Sequence, residues 1–264
     1  MEGSHLTLQA PVRIVSGAFL SRRALASLSV GAFLVGVMSG LAPSLGAVSL
    51  AGTVYLAAAL AVSLALAKTG TACGVNVLGY LSRAQSPLLT RACDATAYAV
   101  ASAATATLIG LALSAAGTAL GADRVVAATV PILAYLGAKE LGITPTRHVA
   151  SRSWQVPQDW VKDRRVGPLI WGVCLGSGFA TWMPFPSYFG LITLAFLLPF
   201  PNGGALLGLY GAARAAPAVV TSITGGRYIH AINDRMWPIV LYGHITAGCL
   251  SFALAGALAS FAVR

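Results

Sequence analysis

Four long stretches of this chain contain no aspartate, glutamate, lysine or arginine, and they constrain the fold more than any other feature. They are residues 24–67, 95–122, 166–213 and 236–263. Each is longer than the roughly 20 apolar residues that a helix needs to cross the hydrocarbon core of a bilayer. A backbone in hydrocarbon must satisfy its polar groups internally, which a helix does. The sequence therefore predicts an all-α, polytopic transmembrane helical bundle.

Composition excludes a water-soluble domain. Hydrophobic residues make up 57% of the chain and charged residues only 9%, whereas about a quarter of the residues in soluble domains are charged. The partner that this composition requires is the lipid bilayer.

The net charge of +10 is best explained by membrane topology. The cations, Lys68 among them, are assigned mainly to short connections, as the positive-inside rule predicts for cytoplasmic loops. We therefore expect a bacterial inner-membrane protein whose N-terminal tail (1–23) and central loop (142–166) are cytoplasmic. Nucleic acid is not expected as a partner, although a basic soluble protein would suggest it.

The apolar pattern predicts seven or eight spans, with a minimum of six. The predicted segments are 24–42, 45–67, 94–119, 125–141, 167–183, 185–200, 203–221 and 237–262. Two of them, 167–183 and 185–200, share one proline-interrupted run, so they are either two spans or one broken helix. A short interfacial or partly inserted helix is expected at 74–81.

The two halves of the chain look alike, which suggests an internal repeat. Gly36 and Gly40 form a GxxxG motif that matches Gly172 and Gly176, and a proline-bearing break follows each motif. The predicted organisation is a tail (1–23), a first transmembrane repeat (24–121), a linking span and loop (122–166) and a second repeat (167–264). Paired interruptions of this kind point to a transporter-like architecture. Coincidence is the alternative, because GxxxG is also a common packing motif through which helices bind partners or another copy of the chain.

The two breaks supply the candidate substrate or pathway residues, which are Pro43, Ser44, Pro184, Pro186 and Ser187. Proline in a spanning helix frees backbone groups that must find partners or line a wet cavity. With a hydroxyl beside each break, such a pair could bind a small polar solute or ion. A simple kink repaired by neighbouring helices is the alternative.

Arg214 and His244 are the other candidates for the site. Arg214 interrupts an apolar run, and a charge at that depth usually faces a cavity or a partner, unless the side chain reaches the headgroups. His244 could relay protons or bind a ligand, and a hydrogen bond between helices is its alternative role.

The remaining acidic residues receive structural assignments. Asp94 and Asp234 are expected at helix starts, where a carboxylate accepts from free backbone donors. Lys139 and Glu140 are expected at the membrane interface. The common hydrolase, nucleotide-binding and zinc signatures are not present. No catalytic residue, no metal and no cofactor is therefore predicted, and the sequence favours a non-enzymatic function over an enzyme.

The glycine-rich segments with their proline breaks, 36–45 and 172–187, resemble the CcdA/DsbD membrane domain of the LysE-like transporter superfamily. The central stretches 155–160 and 167–176 also resemble uncharacterised actinobacterial integral membrane proteins. The resemblance implies two related sets of broken helices. In that family a cysteine follows each proline, but this chain has Ser44 and Ser187 there, and serine cannot exchange disulfides.

Three functions follow from these patterns. The leading one is a transporter-like protein for a small solute or ion, with its site at the paired broken helices. The second is a membrane thiol or electron-transfer conduit that uses Cys174 with Cys249 or Cys73. The third is a non-catalytic membrane subunit of a larger complex, which packs against its partners through glycine-rich faces.

Overall fold

The computed structural model describes residues 22–41, 46–82, 86–122, 126–144, 156–178, 180–181 and 184–262. Helices dominate this part of the chain, and it contains no β-strand. In chain order the α-helices are α1 (Arg22–Leu41), α2 (Gly46–Ala67), α3 (Ala72–Leu81), α4 (Leu88–Ala119), α5 (Val126–Glu140), α6 (Gly167–Gly176), α7 (Ser187–Leu197), α8 (Asn202–Ile223), α9 (Ile229–Asp234) and α10 (Met236–Ala262). Short 3-10 helices cover Lys68–Gly70 and Gln158–Val161. The predicted all-helical bundle is confirmed.

Within the described ranges, four helical segments are long and apolar enough to cross a membrane. They are Gly52–Gly70, Leu88–Ala119, Asn202–Ile223 and Met236–Ser260. Shorter apolar helices surround them, including α3, α6 and α7. These four segments are compatible with a membrane protein, while the higher count of seven or eight spans stays a prediction.

Small residues allow the long helices to approach each other closely. A Cβ atom built on Gly110 of α4 would lie 2.7 Å from the carbonyl carbon of Gly203 in α8. About two turns further along this interface, the Ser102 hydroxyl donates to the Gly211 carbonyl oxygen at 3.0 Å. The α4–α8 pair therefore forms the central contact of the bundle.

The glycines that were assigned to partner surfaces make contacts inside this chain. Gly36 lies against the backbone of Ala253 in α10, and Gly172 and Gly176 lie against α4 at Tyr98 and Ser102. Gly40 lies within α1. Binding of a partner or of another copy through these faces stays a prediction.

Two acidic residues do not begin long helices, so that prediction is wrong. Helix α4 starts at Leu88, six residues before Asp94, because Pro87 immediately before it is extended (ψ 147°). Asp94 instead accepts a hydrogen bond from Arg164 Nε at 3.3 Å. Asp234 is the last residue of α9, and α10 begins only after Arg235.

The second proline-bearing segment is a broken helix. Helices α6 and α7 contain 10 and 11 residues, so each is about 15 Å long, half of what a bilayer core requires. Between them, Gly178 has a φ of +76°, a left-handed conformation that glycine adopts without strain. The predicted break at Pro43 and Ser44 lies outside the described residues, and the relation between the two halves stays a prediction.

A second interruption lies at Lys68–Thr71, where no proline occurs. Thr71 is extended (φ −85°, ψ 158°), and its hydroxyl accepts from the Gly74 backbone N–H, which starts α3. The same hydroxyl lies 2.7 Å from the Lys68 carbonyl oxygen, to which it donates. The predicted short helix at 74–81 is confirmed as α3, and it continues an interrupted helix that begins with α2.

Candidate functional site

The two interruptions meet inside the bundle. Lys68 Nζ donates a hydrogen bond to the Gly178 carbonyl oxygen at 2.8 Å. This carbonyl lies just beyond the C-terminus of α6, where free carbonyl groups and the negative end of the helix dipole favour a cation. Lys68 thereby joins the end of α2 to the end of α6.

Lys68 is not a loop residue, which corrects the sequence-based assignment. Only 1% of its surface is exposed, because α3 continues the apolar segment on its far side. The sequence contains a signal for this position: residues 69–82 carry no charge before Arg83. Lys68 therefore stands between two apolar helices and not between a helix and a loop.

Arg214 is buried near the middle of α8. Its surface is 4% exposed, and it lies about 18 Å along the helix from Asn202 and about 13 Å from Ile223 at 1.5 Å per residue. The structure therefore places it inside the bundle, packed among other helices. Within the described part of the chain, its Nε, Nη1 and Nη2 atoms have no hydrogen-bond partner.

Two buried tyrosines lie near these two cations. The Arg214 guanidinium lies within electrostatic range of Lys68, Tyr188 and Tyr210. Tyr188 donates to the Ser177 carbonyl oxygen at 2.7 Å, and its ring centroid lies 5.1 Å from that of Tyr210. We call Lys68, Arg214, Tyr188 and Tyr210 the cationic centre.

Glu140 is buried between helices of the bundle, and its predicted place at the membrane interface stays a prediction. Its surface is 2% exposed, its Oε1 lies 2.6 Å from His244 Nδ1, and its Oε2 accepts from the Ser187 backbone N–H at 2.8 Å. Helix α5 can carry this side chain inward because Gly137 contacts the backbone of Gly248 in α10. The carboxylate holds the N-terminus of α7, where a negative group is favoured.

Lys139 lies next to Glu140 on α5 but on a different side of the helix from the Glu140–His244 contact. It is half-buried, and its Nζ lies 5.6 Å from the centroid of the Tyr135 ring. The two residues differ in burial because neighbouring positions on a helix face different directions.

Three of the residues predicted from sequence lie around this carboxylate. Pro186 and Ser187 are buried at the start of α7, and His244 packs its ring 4.5 Å from that of Phe185. Ser251 Oγ lies 3.0 Å from Ser187 Oγ and 2.8 Å from the Ala247 carbonyl oxygen. Since each hydroxyl has one proton, Ser187 donates to Ser251 when Ser251 donates to Ala247.

The cationic centre and the Glu140–His244 pair lie on two sides of the α6–α7 break. Gly243 precedes His244, and a Cβ atom built on it would contact Ala67, which precedes Lys68, and the Phe185 ring. Pro184 is also buried within this break. One interrupted segment therefore touches both groups.

The cysteines do not form a disulfide. All four are free thiols. Cys73 lies within electrostatic range of Arg214 and Lys68, Cys174 packs against the same apolar cluster as Cys73, and Cys249 lies on α10. A redox role for Cys73, Cys174 and Cys249 stays a hypothesis.

Two of the central residues, Lys68 and Glu140, were missed as site candidates, while Arg214, Ser187 and His244 were identified. Depth within an apolar run identified Arg214, but a charge at a helix end looks the same in the sequence whether the end is buried or exposed. Comparisons with protein-family models, with curated proteins and with solved structures find no match to this chain, so its function has to be argued from the geometry of these contacts.

Proposed function

We propose that this chain is a transporter-like protein of a bacterial inner membrane, which binds a small solute or ion where its two interrupted helices meet. The observation that carries the proposal is the hydrogen bond from Lys68 Nζ to the Gly178 carbonyl oxygen. It joins two helix breaks inside an apolar bundle. In membrane transporters, irregular backbone at such depth forms the solute site between interrupted helices.

The α6–α7 break has the properties of a hinge. Helices α6 and α7 are short, and Gly178 between them adopts a positive φ. Each half-helix is held at the break by one charged side chain, α6 by Lys68 and α7 by Glu140. Transport through the bundle requires two arrangements of the half-helices. These arrangements would differ by only a small number of polar contacts.

The exposed cations of the central loop give the proposal an orientation. Lys162, Arg164 and Arg165 are exposed just before α6. By the positive-inside rule this end of the bundle faces the cytoplasm. The likeness to the CcdA/DsbD family enters the proposal as an architecture of interrupted helices, and not as thiol chemistry.

Cys73 provides a native reporter for access to the site. It is buried in α3, beside the Lys68–Thr71 interruption. In a variant whose other three cysteines are replaced by alanine, we expect a membrane-impermeant anionic methanethiosulfonate to label Cys73 slowly from either side of a proteoliposome. The measurement is the labelled fraction over time, with reagent added outside or enclosed inside oriented vesicles.

The matched control is a cysteine at Ala255, which is buried in helix packing away from both breaks. In the cysteine-free chain, Ala255→Cys should stay unlabelled from both sides because no moving segment exposes it. Labelling of Cys73 from one side only, or from neither, would contradict alternating access and therefore the proposed function.

A further inference from the structure

We infer that the cationic centre is an internal binding site for a small anion, either an organic carboxylate or an inorganic oxyanion. This inference names the class of solute for the proposed function and rests on it only for passage across the membrane. Binding itself follows from the charges and hydrogen-bond donors of the buried groups.

The first argument is the balance of charge. The chain has seven acidic residues, and none of the five within the described ranges neutralises Arg214 or Lys68. Glu140 contacts His244 and the Ser187 backbone N–H. Asp94 pairs with Arg164, and Asp159 pairs with Lys162. Asp163 and Asp234 are exposed. The other two, Glu2 and Asp123, lie outside the described residues.

Two buried cations without an acidic partner are costly. Moving a charge into a low-dielectric interior is unfavourable unless the charge is paired and hydrogen-bonded. The guanidinium group does not lose its proton in proteins, so Arg214 keeps its charge whatever the protonation state of Lys68. An anion beside Arg214 removes this cost.

The second argument is the supply of hydrogen-bond donors. All three nitrogens of Arg214 lack partners within the described part of the chain, and so does the hydroxyl of Tyr210. Lys68 uses one proton on Gly178 and, when it is charged, has two more. Donors dominate this set, because the three guanidinium nitrogens can only donate, and such a set favours a ligand rich in acceptors. The planar guanidinium fork matches two oxygens of one carboxylate or oxyanion.

The position of the centre excludes a lipid headgroup as the source of this anion. Arg214 lies about 13 Å from the nearer end of α8, and Tyr188 and Tyr210 belong to a buried apolar cluster that includes Leu191, Leu194 and Leu207. The ligand is therefore a small soluble anion that enters the bundle.

The test uses the purified full-length protein in detergent with sodium HEPES as the only buffer. Sodium acetate, nitrate, sulfate and phosphate are added separately, and the midpoint of thermal unfolding is measured at each concentration. A ligand that binds only the folded protein raises this midpoint in a saturable way. We expect at least one of these anions to do so in the unmodified protein.

The variants separate an anion site from a structural arginine. Arg214→Met removes the charge and keeps much of the side-chain volume, so we expect a midpoint equal to or higher than that of the unmodified protein without added anion, and no response to anions. Lys68→Met should weaken binding about tenfold or more, equivalent to about 1.4 kcal/mol. Arg235→Gln, which removes an exposed cation, should leave the response unchanged.

Two results would overturn the inference. One is that none of the four anions raises the midpoint of the unmodified protein. The other is that Arg214→Met retains the full response, or unfolds well below the unmodified protein in HEPES alone.

If anions do not bind but Cys73 is labelled from both sides, the proposed transport stands with a different solute. If anions bind but Cys73 is reached from one side only, the anion site stands and the proposed transport fails.

Discussion

Replacing Glu140 by alanine is expected to lower the free energy of unfolding by about 3–5 kcal/mol, the range for removing one partner of a buried charged pair. The carboxylate contacts His244 Nδ1 and the Ser187 backbone N–H. Without it, both groups remain buried with no acceptor, and α7 loses the negative group at its N-terminus. Loss of this side chain therefore affects α5, α7 and α10 together.

Thermal and denaturant unfolding in detergent, followed by tryptophan fluorescence, measures this effect. Glu140→Gln should be destabilised less, because its single amide oxygen can still accept from one of the two donors. The control is Asp159→Asn, which breaks an ion pair between two exposed side chains and should change stability by less than about 1 kcal/mol. If Glu140→Ala unfolds like this control, the buried pair does not hold the three helices together.

Two glycine-to-alanine replacements are expected to change stability in opposite directions. At Gly110 the new methyl group would enter the backbone of Gly203 and Gly204, so α4 and α8 must separate, and overpacking of this kind costs about 1–3 kcal/mol. At Gly79 of α3 a Cβ atom has nothing within 4 Å. There alanine should stabilise the chain by about 0.5–1 kcal/mol, because glycine is less favourable within a helix.

The same unfolding measurements test this pair of variants. Both replacements add one methyl group to a helical glycine, so the difference between them reports the α4–α8 contact alone. A Gly110→Ala protein as stable as Gly79→Ala would show that the two helices are not in close backbone contact. Helices joined through glycine in this way lie near enough for Ser102 to reach Gly211.

The helices could largely be predicted from sequence, because apolar length and the absence of charge specify them locally. Helix α10, for example, was expected at 237–262 and occupies Met236–Ala262. Where a boundary was wrong, the reason was also local. Asp94 has the residue type of a helix start, but Pro87 had already fixed the start of α4 six residues earlier.

The candidate site could be predicted only in part. The sequence identifies Arg214 because a charge within a long apolar run usually faces a cavity or a partner, unless its side chain reaches the headgroups. The sequence assigns Lys68 and Glu140 to loops and interfaces because both lie at helix ends. The uncharged stretch 69–82 after Lys68 is a local signal that this end is buried, but Glu140 has no such signal. Their burial depends on α6, α7 and α10, which are distant from them in the sequence and pack over these helix ends.

By itself, the sequence determined that this chain forms apolar helices suited to a bilayer, since stretches without charge can satisfy their backbone only within helices. It also determined that the Arg214 side chain must either lie inside the bundle or extend to the headgroups. Only the tertiary structure showed that Arg214 lies inside the bundle. It also showed that the break at Gly178 meets the interruption at Lys68. The physical reason is that a helix end carries free backbone groups, and which distant side chain satisfies them depends on packing between elements far apart in the sequence.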